Sequence, residues 1–162
     1  MNMKSSREPP QSSRFEEKER SNNITNKTVL AGEKGHLVSF PFTKAAESLV
    51  SNALSNQQVL AFPTETFYGL GGNAFSASVV DRVYRIKERP RKKLLLVLIT
   101  PHWLPRLCEW NDSRINDLID EFWPGPLTLI LAANPELPKH LQNNDGTLAV
   151  RYTSSQAAQR LI

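Results

Sequence analysis

Leu94-Leu95-Leu96-Val97-Leu98-Ile99 is apolar at every position, without the alternation of a strand that faces water on one side. Such a run predicts a central strand covered on both faces. A strand of that kind needs helical layers around it, so the rest of the chain must supply them. It does so in alternation. Thr43 to Ser55 reads as a helix capped by Thr43, with Ala45, Leu49, Val50 and Leu54 as its apolar stripe. Gln58 to Phe62 is a short buried strand, and Gly69, Gly71 and Gly72 mark the turn after it. Ser76 to Lys87 forms a second helix, with a capping-box pattern over Ser78–Asp81 and Val79, Val80, Val83 and Ile86 as its core face. Pro90 stops it.

The second half continues the pattern. Trp103–Trp110 and Ser113–Phe122 read as helices, and Trp123-Pro124-Gly125-Pro126 as a rigid turn into the strand Leu127–Leu131. Residues 134–145 form a loop, and Thr147–Tyr152 another strand. Ser154 caps a last helix whose apolar face begins with Ala157, Ala158, Leu161 and Ile162. Leu37–Phe40 supplies a short edge strand or a docking segment. Together these predict an α/β domain with a mixed or partly parallel sheet. The chain stops within that last amphipathic helix, which points to a fragment or a truncated product.

Residues 1–36 carry seven apolar side chains among many Ser, Asn, Glu, Lys and Arg, too few to offset the entropy of ordering them. They read as a disordered tail, leaving residues 37–162 as one folded domain. Cys108 is the single cysteine, so an internal disulfide is impossible, and it reads as a small core residue. His36, His102 and His140 are scattered, and zinc-ligand spacing is absent. No segment approaches about 20 consecutive apolar residues, and no signal or transit peptide is visible, which points to a cytoplasmic protein without a membrane span.

Positive charge is concentrated in one place. Residues 82–93 hold seven Lys and Arg against Glu88, leaving 13 of the 20 Lys and Arg against 15 of the 16 acids elsewhere. Such a window suits a local anion site rather than a uniformly basic coat for nucleic acid. It also suits a solvated helix end. Some twenty residues upstream, Ala61-Phe62-Pro63-Thr64-Glu65-Thr66 runs from an apolar strand into small hydroxyl residues. A strand end that delivers such groups to a basic pocket fits an anionic substrate, of which nucleotide phosphate is the commonest.

Four motifs occur in order: Pro63-Thr64-Glu65-Thr66-Phe67-Tyr68-Gly69-Leu70, the Lys87-Glu88-Arg89-Pro90-Arg91-Lys92-Lys93 run, Trp123-Pro124-Gly125-Pro126-Leu127-Thr128 and Gly146-Thr147-Leu148-Ala149-Val150-Arg151. Together they resemble the YrdC-type threonylcarbamoyl-AMP synthases over roughly residues 40–162. The resemblance implies a twisted mixed α/β sheet with flanking helices around a basic concave cavity. It implies a nucleotidyltransferase that makes L-threonylcarbamoyl-adenylate and pyrophosphate from L-threonine, bicarbonate and ATP. The implied product passes to tRNA threonylcarbamoyl-transferase proteins, which modify the adenosine beside the anticodon.

Carried onto this chain, the resemblance assigns Lys87, Arg89, Lys93 and Thr147 to ATP, and Thr66 and Arg151 to threonine. Adenylation is in-line transfer at the α-phosphate, so positioning and charge neutralisation dominate, and no catalytic dyad is visible. Mg2+ is expected with ATP, held largely by phosphates and water rather than by a protein cage. Each assignment has a plainer counterpart. Thr66 can satisfy strand-end backbone, Thr147 can be a β-former, Arg151 can pair with an acid, and Lys93 can be solvated. Lys87 and Arg89 diverge on a continued helix and converge only if the helix ends between them. The pattern also departs from the family at Leu94, where proline usually stands, and at Leu98, where many members carry histidine. The family's Ser-x-Asn segment is expected beyond Ile162. A non-catalytic module for double-stranded RNA or tRNA, or an inactive remnant, is the competing reading.

Overall fold

The structure, a computed structural model, describes residues 27–30, 35–93 and 95–162. The expected tail lies outside the described residues except at 27–30 and 35–36, and the first of these is no tail: Lys27–Leu30 form strand β1. Strands β2 (Leu37–Ser39), β3 (Leu60–Pro63) and β4 (Tyr68–Gly71) join it in an antiparallel sheet ordered β2-β1-β3-β4. Strands β5 (Leu96–Leu98), β6 (Cys108–Glu109), β7 (Leu129–Ala133) and β8 (Thr147–Arg151) form a second sheet ordered β5-β8-β7-β6. Its β5–β8 pair is parallel and its other pairs antiparallel, so the α/β domain carries a mixed sheet as expected.

Helices α1 (Lys44–Ser55) and α2 (Ala77–Ile86) pack against the first sheet. Thr43 caps α1, its Oγ1 accepting from the Ala46 N–H at 3.2 Å. Val50 and Ala53 of α1 are buried with Leu60, while Val79 and Val83 of α2 are buried with Val59. Each buried valine contributes about 1.5–3 kcal/mol relative to an exposed one. Helices α3 (Leu104–Leu107), α4 (Arg114–Phe122) and α5 (Gln156–Gln159) belong to the second half. Its core joins Leu107, Cys108, Trp123, Leu131, Leu148 and Val150. Burial pushes the Cys108 thiol up to about 11, as befits an inert core residue.

Several expectations are corrected. Over its described residues 95–99 the apolar run is not a central strand: β5 is an edge, and Leu96 is 38% exposed. Residues 95–98 line a cavity, and although Leu95 and Val97 also pack against the two cores, the run is not covered on both faces. The covered strand is β8, whose Leu148, Ala149 and Val150 are all buried. Gly69 and Gly71 lie within β4 rather than in a turn, because a Cβ at either would sit 3.0–3.2 Å from the Phe62 ring. The turn is residues 64–67 instead. Trp103–Trp110 is a 3-10 turn over Pro101–Trp103, then α3, then β6. Pro105 is tolerated because it falls in the first turn of α3.

The helix ends also differ. The N-cap of α2 is Ser76, not Ser78, and both hydroxyls reach Gln57 Oε1, at 3.0 and 2.8 Å. Helix α5 is capped by Ser155 rather than Ser154. Pro90 does not end α2, which stops four residues earlier. The peptide bonds Phe40–Pro41 and Trp123–Pro124 are cis.

After Trp123 the chain folds back so tightly that a Cβ on Gly125 would lie 2.3 Å from the Phe122 carbonyl oxygen. The Gly125 N–H meanwhile donates to the Tyr152 carbonyl at 2.8 Å. Gly125→Ala is therefore expected to lower unfolding free energy by about 2–3 kcal/mol or more, read from urea titration at unchanged slope.

Candidate functional site

A cavity of about 580 Å3 lies between the two sheets, with walls from β3 and β4 on one side and β5 and β8 on the other. The residue 64–67 turn forms part of its rim. Thr64 locks that turn: its hydroxyl donates to the Phe67 carbonyl at 2.6 Å and accepts from the Thr66 and Phe67 N–H groups, each at 3.3 Å. Thr66 thereby faces the cavity with its hydroxyl 3.3 Å from that of Thr64. Thr64, not Thr66, satisfies the strand-end backbone.

The cationic wall depends on how α2 ends. Lys87 is the C-cap, and Glu88 takes a left-handed conformation with φ of 47°. The Glu88 N–H bonds the Arg85 carbonyl at 3.1 Å and the Arg89 N–H bonds the Tyr84 carbonyl at 3.0 Å, which is the Schellman pattern. That turn meets the condition for convergence: the helix ends between Lys87 and Arg89, and both line the cavity. Arg91 joins them, stacked 4.6 Å over the Tyr84 ring and paired with Asp81. Arg89 Nε donates to the Lys93 carbonyl at 3.2 Å. Burial, and then the charge of Arg89, push the Lys87 ammonium below its ordinary range. Lys93 itself is exposed and is not part of the wall.

At the other end of β5, beside Leu98, Arg151 is held by three hydrogen bonds to two partners. Its Nη1 donates to Glu65 Oε1 at 2.8 Å, and its Nε and Nη2 donate to Thr128 Oγ1 at 3.0 and 2.7 Å. The side chains of the ion pair are 18% and 13% exposed. The hydroxyl of buried Thr153 donates to the second Glu65 oxygen. Burial alone would raise the Glu65 pKa, but the hydrogen bonds from Thr153, from its own N–H and from Arg151, with the Arg151 charge, outweigh it. They hold the carboxyl below its ordinary value of 4.5.

Thr147 does not reach the cavity; its hydroxyl donates to Asp145 Oδ1 at 2.7 Å and accepts from Asn143 Nδ2 at 3.3 Å. It orders the 140–144 loop, which does line the cavity. Of the six candidate site residues, the structure thus brings together Thr66, Lys87, Arg89 and Arg151, and leaves out Lys93 and Thr147. Sequence reasoning missed Glu65, Thr128, Thr153 and Arg91 as members of the site. Three of these lie inside the quoted motifs, and Thr153 follows the last by two residues. Among the described residues, no cluster of three or more His, Cys, Asp or Glu side chains could hold a metal. No helix among them is long and apolar enough to cross a membrane.

Residues 52–162 match the Sua5/YciO/YrdC family profile, described as telomere recombination. The chain belongs to this family. Relatives within it include the threonylcarbamoyl-AMP synthase of Pyrococcus abyssi, 37% identical over 65% of this chain and 31% of that protein. The threonylcarbamoyl-AMP synthase of Yersinia enterocolitica is 34% identical over 73% of this chain and 64% of its own length. The chain thus spans between about a third and two thirds of these relatives. Among solved structures, P. abyssi Sua5 complexed with L-threonine superposes with a TM-score of 0.69 at 32% identity, over 75% of this chain and 37% of that one. The E. coli YciO structure superposes at 0.63 with 24% identity, over 71% and 58%, a likeness of fold.

Two expected outcomes follow from the geometry of this Sua5/YciO/YrdC domain. Left-handed backbone strains a residue with a Cβ, and most strains a β-branched one. Glu88→Gly should therefore leave stability unchanged or raise it by up to about 1 kcal/mol, while Glu88→Val should lower it by about 1–2 kcal/mol, both read from thermal melts. Glu65, with a folded pKa below 4.5, contributes stability that is complete above that value and lost as pH falls through the folded value. Glu65→Gln should accordingly cost about 1–3 kcal/mol near neutral pH, with the gap to wild type closing as pH falls through the lowered folded value in denaturant titrations.

Proposed function

We propose that this domain is an ATP-dependent nucleotidyltransferase that forms L-threonylcarbamoyl-adenylate and pyrophosphate from L-threonine, bicarbonate and ATP. The observation that carries the reading is the convergence of Lys87, Arg89 and Arg91 on one cavity that Thr66 and Arg151 also line. The relatives named threonylcarbamoyl-AMP synthase, and the related Sua5 structure holding L-threonine, support it.

In this reading the amine of threonine and bicarbonate form a carbamate with loss of water. A carbamate oxygen then attacks the α-phosphorus of ATP, its bond to the β-phosphate bridging oxygen breaks, and pyrophosphate leaves. Charge builds on the phosphoryl oxygens and the leaving group, so fixed cations rather than a proton-transfer dyad supply the stabilisation. Lys87, Arg89 and Arg91 take the phosphates, Arg89 with the planar fork that suits them. Arg151 takes the threonine carboxylate, for which two of its five N–H donors remain beyond its three bonds to Glu65 and Thr128. Thr66 contacts the amino acid from the rim. Mg2+ would come with the triphosphate, held by phosphates and water rather than by side chains of this chain, and would help neutralise the phosphate charge. The adenylate then passes to tRNA threonylcarbamoyl-transferase proteins for modification of the adenosine beside the anticodon.

The test is pyrophosphate release from ATP by the purified chain, with L-threonine and bicarbonate omitted one at a time. Release that requires both is expected. A cooperatively melting chain that releases none, yet binds tRNA with steep salt dependence, would favour the RNA-binding reading. Lys87→Ala should lower kcat/KM by about 100-fold, since it removes a charged contact to the phosphates. Its lowered pKa should rise when triphosphate binds beside it, so ATP affinity should fall, and proton uptake on binding should grow, as pH climbs through the free-protein value. Calorimetry in buffers of different ionisation enthalpy reads that uptake.

A further inference from the structure

We infer that Glu65 sorts the two anionic substrates within the cavity, positioning Arg151 for a single carboxylate and cancelling the charge that would otherwise draw the triphosphate there. The inference rests on the assignment of Arg151 to the threonine carboxylate and of the Lys87 wall to phosphate. It begins with an asymmetry between the two cationic ends. Residues 81–93 carry seven Lys and Arg against Asp81 and Glu88, and Lys87 makes no ion pair among the described residues. That end is strongly positive. The other end is different: Arg151 and Glu65 form a partly buried pair at 2.8 Å whose charges cancel. Net charge decides where a multiply charged anion settles, because Coulomb attraction scales with the product of the charges. A triphosphate gains at the Lys87 wall and meets the Glu65 carboxylate at the Arg151 end.

A monocarboxylate needs less charge and more geometry. Arginine binds carboxylate through paired donors in one plane, and a free arginine must lose several side-chain rotations to offer them. Glu65 and Thr128 remove that freedom beforehand, since three of its donors are already committed to them. Glu65 is itself fixed by the hydroxyl of fully buried Thr153. Acting through Arg151, Glu65 is a positioning residue rather than a catalytic one.

The experiment measures L-threonine binding by calorimetry, with and without saturating inorganic tripolyphosphate, in wild type, Glu65→Gln and Thr128→Val. No turnover is required. In wild type, tripolyphosphate should change threonine affinity less than about twofold, because the two anions occupy separate ends. In Glu65→Gln, tripolyphosphate should weaken threonine binding by about tenfold or more as it spreads to the uncancelled Arg151. Thr128→Val keeps the Glu65 charge and loosens the guanidinium, so threonine binding should weaken while remaining insensitive to tripolyphosphate. This second variant tests the sorting even if Glu65→Gln fails to fold. Competition between tripolyphosphate and threonine in wild type or Thr128→Val, or its absence in folded Glu65→Gln, overturns the inference and leaves the proposed reaction standing. A wild-type chain that binds tripolyphosphate but no threonine overturns both.

Discussion

Glu65 joins the two sheets of this domain. From the turn after β3 it reaches Arg151, 86 positions away on β8, and Thr153, 88 positions away. Ser155 closes the same seam, its hydroxyl donating to the Pro63 carbonyl at 2.8 Å. A partly buried ion pair adds little net stability, because desolvation offsets most of its attraction, but it is demanding about geometry. The cavity is the space left between sheets held in that relation. Its rim, its apolar β5 wall and its carboxylate-facing arginine all take their places from this seam.

The opposite wall follows from a local rule of helix termination. Had α2 continued through residue 89, Lys87 and Arg89 would point away from each other. The Schellman turn at Glu88 ends the helix with both directed to the cavity, and Arg91 is brought alongside by Tyr84 and Asp81. Gln57 does the same at the end of α1, with φ of 55°, and its side chain receives the Ser76 and Ser78 hydroxyls that begin α2. Both left-handed positions carry long polar residues instead of glycine. At Gln57 the side-chain bonds offset the cost of that conformation.

Helices were the most legible elements, because caps and apolar stripes are local signals. Thr43 and the Val79, Val80 and Val83 face lead directly to α1 and α2. Strands were less so. Lys27–Leu30 lies in a polar context that hides a strand completed by pairing with β2 and β3. Gly69 and Gly71 look like turn residues in sequence, yet they serve the Phe62 ring across the ladder. The Leu94–Ile99 run reads as a covered strand because composition records apolar character and not what faces it. In the site, the Lys87–Lys93 run was visible as charge, but Arg91 as a wall residue was not. Glu65 and Thr128 sat in view within their motifs, without any sign of the arginine they hold.

The sequence by itself determined the α/β alternation, the position of the cationic run, the small hydroxyl turn and the family to which four ordered motifs belong. These are statements about neighbours in the chain, where propensity, periodicity and spacing act over a few residues. Tertiary structure decided which face of β5 is hollow, which candidate residues meet, and which arginine is neutralised. Lys93 and Thr147 fall outside the cavity, while Glu65 and Arg151 meet across 86 residues. The reason is physical. An ion pair in a partly buried seam depends on how two sheets approach, and no local pattern encodes the distance between them.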